Sequence, residues 1–140
     1  MLQRVLTLLF SGVVTSAFAK KPSDIGSYTP YHPPADNSTY GNVDQIYVTH
    51  QHVDWYVNWT SQTLQGFILM DLTVQKDTEY IQLDSWNNNI IGVNLYPPGS
   101  AMYATLNGGN VPVNNEPLTW MLKYPNPQIG EVLVVQLPLT

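Results

Sequence analysis

Cysteine is absent from this sequence of 140 residues, and charged side chains make up only 11% of it. Without cysteine the chain can form no disulfide, so its folded state depends on packing alone. Positive charge is also scarce, because five basic residues stand against ten acidic ones. Nucleic acids and anionic membranes bind clustered lysine and arginine. The sequence therefore predicts neither a nucleic-acid partner nor a membrane partner.

The sequence also lacks the motifs of several enzyme classes. It contains no G-x-S-x-G serine elbow, no cysteine nucleophile and no glycine-rich phosphate loop leading into a helix. His50, His52 and Asp54 alternate along an extended segment and so share one face, which makes them the candidate metal site. Zinc sites need three or four ligands that other groups orient. We interpret these side chains as a polar surface and expect no metal, cofactor or catalytic residue. An independent enzyme would need a metal at His50 and His52 or a site that no motif marks.

Residues 1–19 have the layout of a secretory signal peptide. Arg4 precedes an apolar run of the expected length, and Ala17 and Ala19 supply the small residues before a cut at Lys20. The run is short for a membrane span of about 20 residues, which disfavours the alternative of an uncleaved anchor. The sequence thus predicts a secreted protein, or one in the secretory lumen, with no membrane attachment after cleavage.

Two N-x-S/T triplets agree with export through the secretory pathway. They begin at Asn37 and Asn58, and each is an acceptor for N-linked glycan in a eukaryotic secretory pathway. Asn37 lies in residues 20–42, a stretch with four prolines and no apolar periodicity. This stretch is predicted to be an irregular arm before the folded domain at 43–140.

Residues 45–74 predict a β-hairpin. In the first arm Val53, Trp55, Val57 and Trp59 recur at a period of two, which is typical of a half-buried strand. After a polar turn at 60–63, the second arm is apolar on both faces in its middle, as in strands that are covered on both sides. We expect the hairpin to form the centre of a sheet, with Trp55 and most of the other tryptophans in the core.

The remaining residues alternate short extended segments with turns. Further strands are expected at 80–84, 90–95, 101–106, 111–113, 118–122 and 131–137. Asn107-Gly108 is typical of a hairpin turn, since both central residues of a type I′ turn need positive φ. About eight strands without a helix-period segment predict an all-β fold, either an antiparallel β-sandwich or a saddle-like bent sheet.

A set of short motifs carries a family resemblance. The pattern V-T-H-x-x-x-D-W-x-V-N-W runs from Val48 to Trp59, and Leu64-Gln65-Gly66 opens the second arm of the hairpin. Leu83-Asp84-Ser85 and the apolar run at 131–135 follow in order. Together these motifs resemble the N-terminal β domain of zinc aminopeptidases of the aminopeptidase N, leukotriene-A hydrolase and aminopeptidase B type. The resemblance covers residues 40–140.

The resemblance implies a non-catalytic, saddle-like β domain. In that family an H-E-x-x-H helix and a downstream glutamate bind zinc in a separate catalytic domain, and this sequence contains no H-E-x-x-H motif. We expect a truncated or stand-alone copy, an incomplete domain without peptidase activity. Its partner would be a catalytic aminopeptidase domain, or a second copy bound through an exposed strand edge at 132–137. The alternative is a secreted binding module that uses exposed aromatic residues on a sugar or a peptide.

Overall fold

The computed structural model describes residues 5–13, 31, 36–96, 116–126 and 128–138. These ranges contain no helix, and all their strands pair antiparallel. The predicted all-β class is therefore confirmed. The predicted strands at 101–106 and 111–113, with the turn between them, lie outside the described residues. A helix long and apolar enough to cross a membrane is likewise not found in the described ranges.

The described residues form eight strands in two sheets. They are β1 (Val5–Val13), β2 (Ile46–Asn58), β3 (Thr63–Val74), β4 (Tyr80–Ser85), β5 (Ile90–Tyr96), β6 (Glu116–Pro117), β7 (Trp120–Asn126) and β8 (Gly130–Gln136). The first sheet has the order β2-β3-β1-β5-β6, and the second has the order β4-β8-β7. The strand order follows the chain order only in part: β2–β3 and β7–β8 are consecutive in sequence, whereas the pairs β1–β3, β1–β5 and β4–β8 join distant segments.

One apolar core joins the two sheets. Its fully buried members include Leu72 and Val93 from the first sheet and Ile81 and Val135 from the second. Burial of each such side chain stabilises the folded state by about 1.5–3 kcal/mol, before the entropy cost of ordering the chain is subtracted. A second cluster covers the far face of the second sheet, where Tyr40 packs on residues of β7 and β8.

The predicted exposed edge at 132–137 is wrong. β8 is the central strand of the second sheet, with β4 on one side and β7 on the other. Val132, Val134 and Val135 are completely buried. A strand that is apolar on both faces needs cover on both faces, and the core supplies one cover while Tyr40 helps to supply the other.

The predicted hairpin is confirmed, but its predicted place at the sheet centre is wrong. β2 pairs with β3 along its whole length, from Ile46 opposite Val74 to Asn58 opposite Thr63. However, among the described strands β2 lies at one edge of the first sheet. It has 13 residues, whereas β4, β7 and β8 have six or seven. The second sheet therefore covers only part of the hairpin, and Trp55 is half exposed.

The predicted signal peptide overlaps a strand. β1 consists of residues from the predicted leader and lies between β3 and β5. Cleavage before Lys20 stays a prediction. Among the described residues, β1 provides the only strand pairing that links the β2–β3 hairpin to β5 and β6.

The described residues of the predicted arm, 31 and 36–42, lie outside the strands and are fastened to β4. The side chain of Gln82 accepts a hydrogen bond from the backbone N–H of Tyr31 at 2.9 Å and donates one to its carbonyl at 3.0 Å. The backbone N–H of Tyr40 donates to the Asp84 carboxylate at 2.7 Å. The Asn42 side chain bonds both to the N–H of Gln82 and to the carbonyl of Tyr80. These bonds make the arm a cover for the outer edge of β4.

Candidate docking surface on the hairpin

The end of the hairpin that carries the turn exposes a group of large apolar side chains. Val53, Trp55 and Val57 lie on one face of β2, and Leu64 lies opposite Val57 on β3. Their exposed fractions are 42%, 49%, 40% and 43%. We call these four residues the hairpin patch. Val53 also lies opposite Ile68, which packs on the core, so the patch continues the core-facing side of the sheet beyond the second sheet.

Gly66 allows the two strands to approach closely under the patch. It lies opposite Trp55, and a Cβ atom built at Gly66 would stand 1.9 Å from the backbone oxygen of Asp54. It would also stand 3.1 Å from the Trp55 Cα. Any side chain at this position would push β2 away from β3, so the glycine of the L-Q-G motif has a steric role.

The turn holds its shape by local hydrogen bonds. The Asn58 Oδ1 accepts the backbone N–H groups of Thr60 and Ser61, each at 3.1 Å. Gln62 completes the turn with a φ of 54°, in the left-handed region. Trp59 lies at the tip and is 85% exposed. A turn ordered in this way presents the patch and Trp59 on a defined backbone.

The predicted metal candidates share a face, as alternation requires. His50, His52 and Asp54 lie opposite Asp71, Leu69 and Phe67 respectively. The His52 ring stacks on Phe67 with 6.2 Å between ring centroids. Within the described ranges, no three histidine, cysteine, aspartate or glutamate side chains form a group that could hold a metal ion. The face thus combines polar groups with an aromatic contact and lies opposite the hairpin patch.

Most of the tryptophans are on the surface, contrary to prediction. Trp55, Trp59 and Trp86 are exposed, whereas Trp120 is buried in the core. Trp59 lies in the turn and Trp86 follows the last residue of β4, so neither lies within a strand. Alternation located Trp55 on the correct face but carried no information about where the covering sheet ends.

The base of the hairpin is tied to its surroundings. The backbone N–H groups of Gln75 and Lys76 donate to the Gln45 carbonyl at 2.7 Å and 3.2 Å. The Lys76 Nζ lies 3.1 Å from the Asp44 Oδ2, which also accepts the Tyr31 hydroxyl at 3.0 Å. The hydrogen bond from Lys76 holds the pKa of Asp44 below its ordinary value. Partial burial, and then the bond to Asp44, raise the pKa of Tyr31.

The two predicted glycan acceptors differ in setting. Asn37 is exposed in the arm, and Asn58 is partly buried at the start of the hairpin turn. The Oδ1 atom of Asn58 also accepts the two backbone hydrogen bonds that hold the hairpin turn. A glycan on Asn58 would stand beside the hairpin patch. Use of either acceptor stays a prediction.

The chain matches no protein-family model, no curated protein and no solved structure in the three comparisons made with known proteins. A function for it therefore depends on the hairpin patch and on the resemblance that its motifs carry.

Proposed function

We propose that this chain is a non-catalytic β domain of the zinc-aminopeptidase N-terminal kind, and that it binds another protein domain through the hairpin patch. The exposure of four large apolar side chains on one continuous face carries the proposal. Large contiguous apolar patches on soluble proteins commonly mark interaction sites. In this proposal the two sheets form an antiparallel sandwich that becomes saddle-like where the hairpin extends past the second sheet.

The proposed partner is a catalytic aminopeptidase domain. In the resembled family the β domain packs against that domain and helps to close its cleft. Trp55 would be the anchor, because a half-exposed tryptophan flanked by Val53 and Val57 gains a large buried area on contact. The chain has a net charge of −5, which favours a partner surface with a basic or neutral rim.

A binding measurement tests the proposed contact. The probe is a zinc-aminopeptidase catalytic domain lacking its own β domain, titrated with the full chain by calorimetry. We expect Trp55→Ala to weaken binding at least tenfold, since truncating a central aromatic anchor costs about 2 kcal/mol or more. Tyr124→Ala is the matched control, because Tyr124 is an exposed aromatic residue of the second sheet.

The two variants distinguish binding through the hairpin patch from binding through the exposed surface of the second sheet. Loss of binding in Trp55→Ala with normal binding in Tyr124→Ala supports the hairpin patch. Absence of binding by the unmodified chain, or equal binding by both variants, would overturn the proposal. Each variant must retain the unfolding transition of the unmodified chain for the comparison to count.

The chain is proposed to have no peptidase activity of its own. The proposal is supported by the missing H-E-x-x-H motif, because loss of the zinc ligands and the general base removes nearly all rate enhancement. The purified chain should not hydrolyse aminoacyl arylamides. Zinc-dependent turnover that disappears in His50→Ala or His52→Ala would contradict this.

A secreted binding module for a sugar or peptide is the second candidate. Trp59 and Tyr56 favour it, because both rings are largely exposed near the tip of an ordered turn and aromatic rings stack on sugars. A glycan array distinguishes the candidates. Binding that is lost in Trp59→Ala and kept in Trp55→Ala would favour the module over domain docking.

Secretion and glycosylation belong to the same proposal. Expression in a eukaryotic secretory host should give a product that starts at Lys20 and carries glycan at Asn37 and Asn58. Digestion with a glycosidase, compared between the unmodified chain, Asn37→Gln and Asn58→Gln, would reveal which acceptor is used. A secreted product of unchanged mass after digestion would contradict the glycan predictions.

A further inference from the structure

The first sheet depends on a strand that the sequence predicts to be removed. β1 pairs with β3 over nine residues, from Val5 opposite Thr73 to Val13 opposite Gln65. On its other side it pairs with β5, from Thr7 opposite Tyr96 to Gly12 opposite Ile90. No other pairing in the described ranges joins β3 to β5. A cut before Lys20 would separate this strand from the rest of the chain.

Loss of β1 would leave two strand pairs that face each other across a gap one strand wide. One pair is β2 with β3, and the other is β5 with the two-residue β6. Each pair would still pack on the shared core, but two strands contribute little stability of their own. The backbone N–H and C=O groups of β3 and β5 would lose their partners next to a buried core, which is costly. Binding of another strand in the gap would therefore stabilise the processed protein.

The residues beside the gap define what that strand must be. Leu72 and Val93 lie on the core side and are buried, and Leu69 and Tyr96, buried on the opposite side, form a separate cluster. Register places Leu6, Leu8 and Phe10 opposite Leu72, Met70 and Ile68 of β3. A strand in this position must be apolar on both faces and must offer backbone hydrogen bonds along both edges, so charged residues and proline are excluded.

We propose that the gap between β3 and β5 is a strand-acceptor groove, which after leader removal binds an extended apolar segment of a partner protein by β-strand addition. The segment is about nine residues long and runs antiparallel to both neighbours, as VLTLLFSGV does in the uncut chain. The leader keeps the groove filled until it is cut. This site rests on the leader cleavage proposed above, but it is separate from the hairpin patch and does not depend on the docking proposed there.

The test uses the full chain, made without export and carrying a specific protease site after Ala19. The folded chain is cut and then mixed with a fluorescent synthetic peptide of residues 5–13 that has lysines added at both ends. We expect saturable binding to the cut protein and at least tenfold weaker binding to the uncut protein, whose groove is filled. Hydrogen exchange should show that the peptide protects the amides of β5.

Peptide variants distinguish β-strand addition from non-specific hydrophobic binding. Leu9 lies opposite Leu69 of β3 and Asn94 of β5, at the middle of the groove. A peptide with Leu9→Pro should bind at least tenfold more weakly, because proline lacks the N–H that a central strand must donate. The matched Leu9→Ala peptide keeps that N–H and should bind within a few-fold of the original. Equal binding of these peptides, or of a scrambled peptide, would overturn the proposal.

A second measurement covers the case in which the cut protein precipitates. Leu9→Pro in the uncut chain should then remove hydrogen-exchange protection from β5, whereas Leu9→Ala should retain most of it. Unchanged protection of β5 in Leu9→Pro would show that β5 does not depend on a strand in the groove, and the proposal would be wrong.

Discussion

β8 and the outer half of β2 are both rich in apolar residues, yet they have opposite environments. β8 is buried along almost its whole length, while Val53, Trp55 and Val57 of β2 are about half exposed. Among the described strands, β8 has neighbours on both edges, whereas β2 has one neighbour and extends past the covering sheet. The comparison shows that apolar periodicity identifies the residues that share a face. It does not show whether that face is covered.

The largest expected effect contrasts two tryptophans. Trp120→Ala should cost about 3–5 kcal/mol of the free energy of unfolding, because Trp120 is 7% exposed within the core. Trp55→Ala should cost about 1 kcal/mol, since half of its side chain is already in water. Urea unfolding of the full-chain variants provides both values. Equal losses would mean that the hairpin patch is covered.

The second expected effect concerns the contact between β2 and β3. Gly66→Ala should destabilise the protein by about 3 kcal/mol, because the new methyl group meets backbone atoms that cannot turn aside. Gly41→Ala is the control, since the nearest atom there is the Thr39 hydroxyl at 3.1 Å, which is part of a side chain. Similar denaturation midpoints for the two variants would argue against the close strand approach.

A smaller effect, of opposite sign, is expected at the turn. Gln62 adopts a φ of 54°, which costs a residue with a Cβ about 1 kcal/mol relative to glycine. Gln62→Gly should therefore raise the midpoint of thermal unfolding slightly and leave binding at the hairpin patch unchanged. A lower midpoint would show that the Gln62 side chain stabilises the turn in a way that outweighs its backbone strain.

The smallest effect should appear only in acid. The hydrogen bond from Lys76 holds the pKa of Asp44 below its ordinary value in the folded protein, so this ion pair stabilises the fold above the pKa that Asp44 has in the unfolded chain. This contribution is lost as the pH falls through the folded pKa. Asp44→Asn should flatten the acid side of a plot of stability against pH. An unchanged acid limb would exclude Asp44 as a source of that pH dependence.

Part of the fold and of the site could be predicted because it depends on local rules. A two-residue period and a polar turn predicted the β2–β3 hairpin, and alternation predicted that His50, His52 and Asp54 share a face. The exposure of Trp55 was missed. One signal was available, because Tyr56 alternates onto the opposite face of the same strand, and aromatic residues on both faces do not fit a half-buried strand. The leader gave no sign of its place in the sheet, because an apolar run has the same composition in a signal peptide as in a buried strand.

The sequence by itself determined that the chain is all-β where it is described, where the first hairpin turns and which side chains share each face. These properties follow from backbone geometry, since successive side chains of a strand point to opposite sides and a polar turn reverses the chain. Only the tertiary structure decided that β8 is central, that β2 is an edge and that β1 separates β3 from β5. Strand order depends on pairing between distant segments, and the hydrogen bonds of a strand are equally available to any neighbour, so local sequence does not encode it.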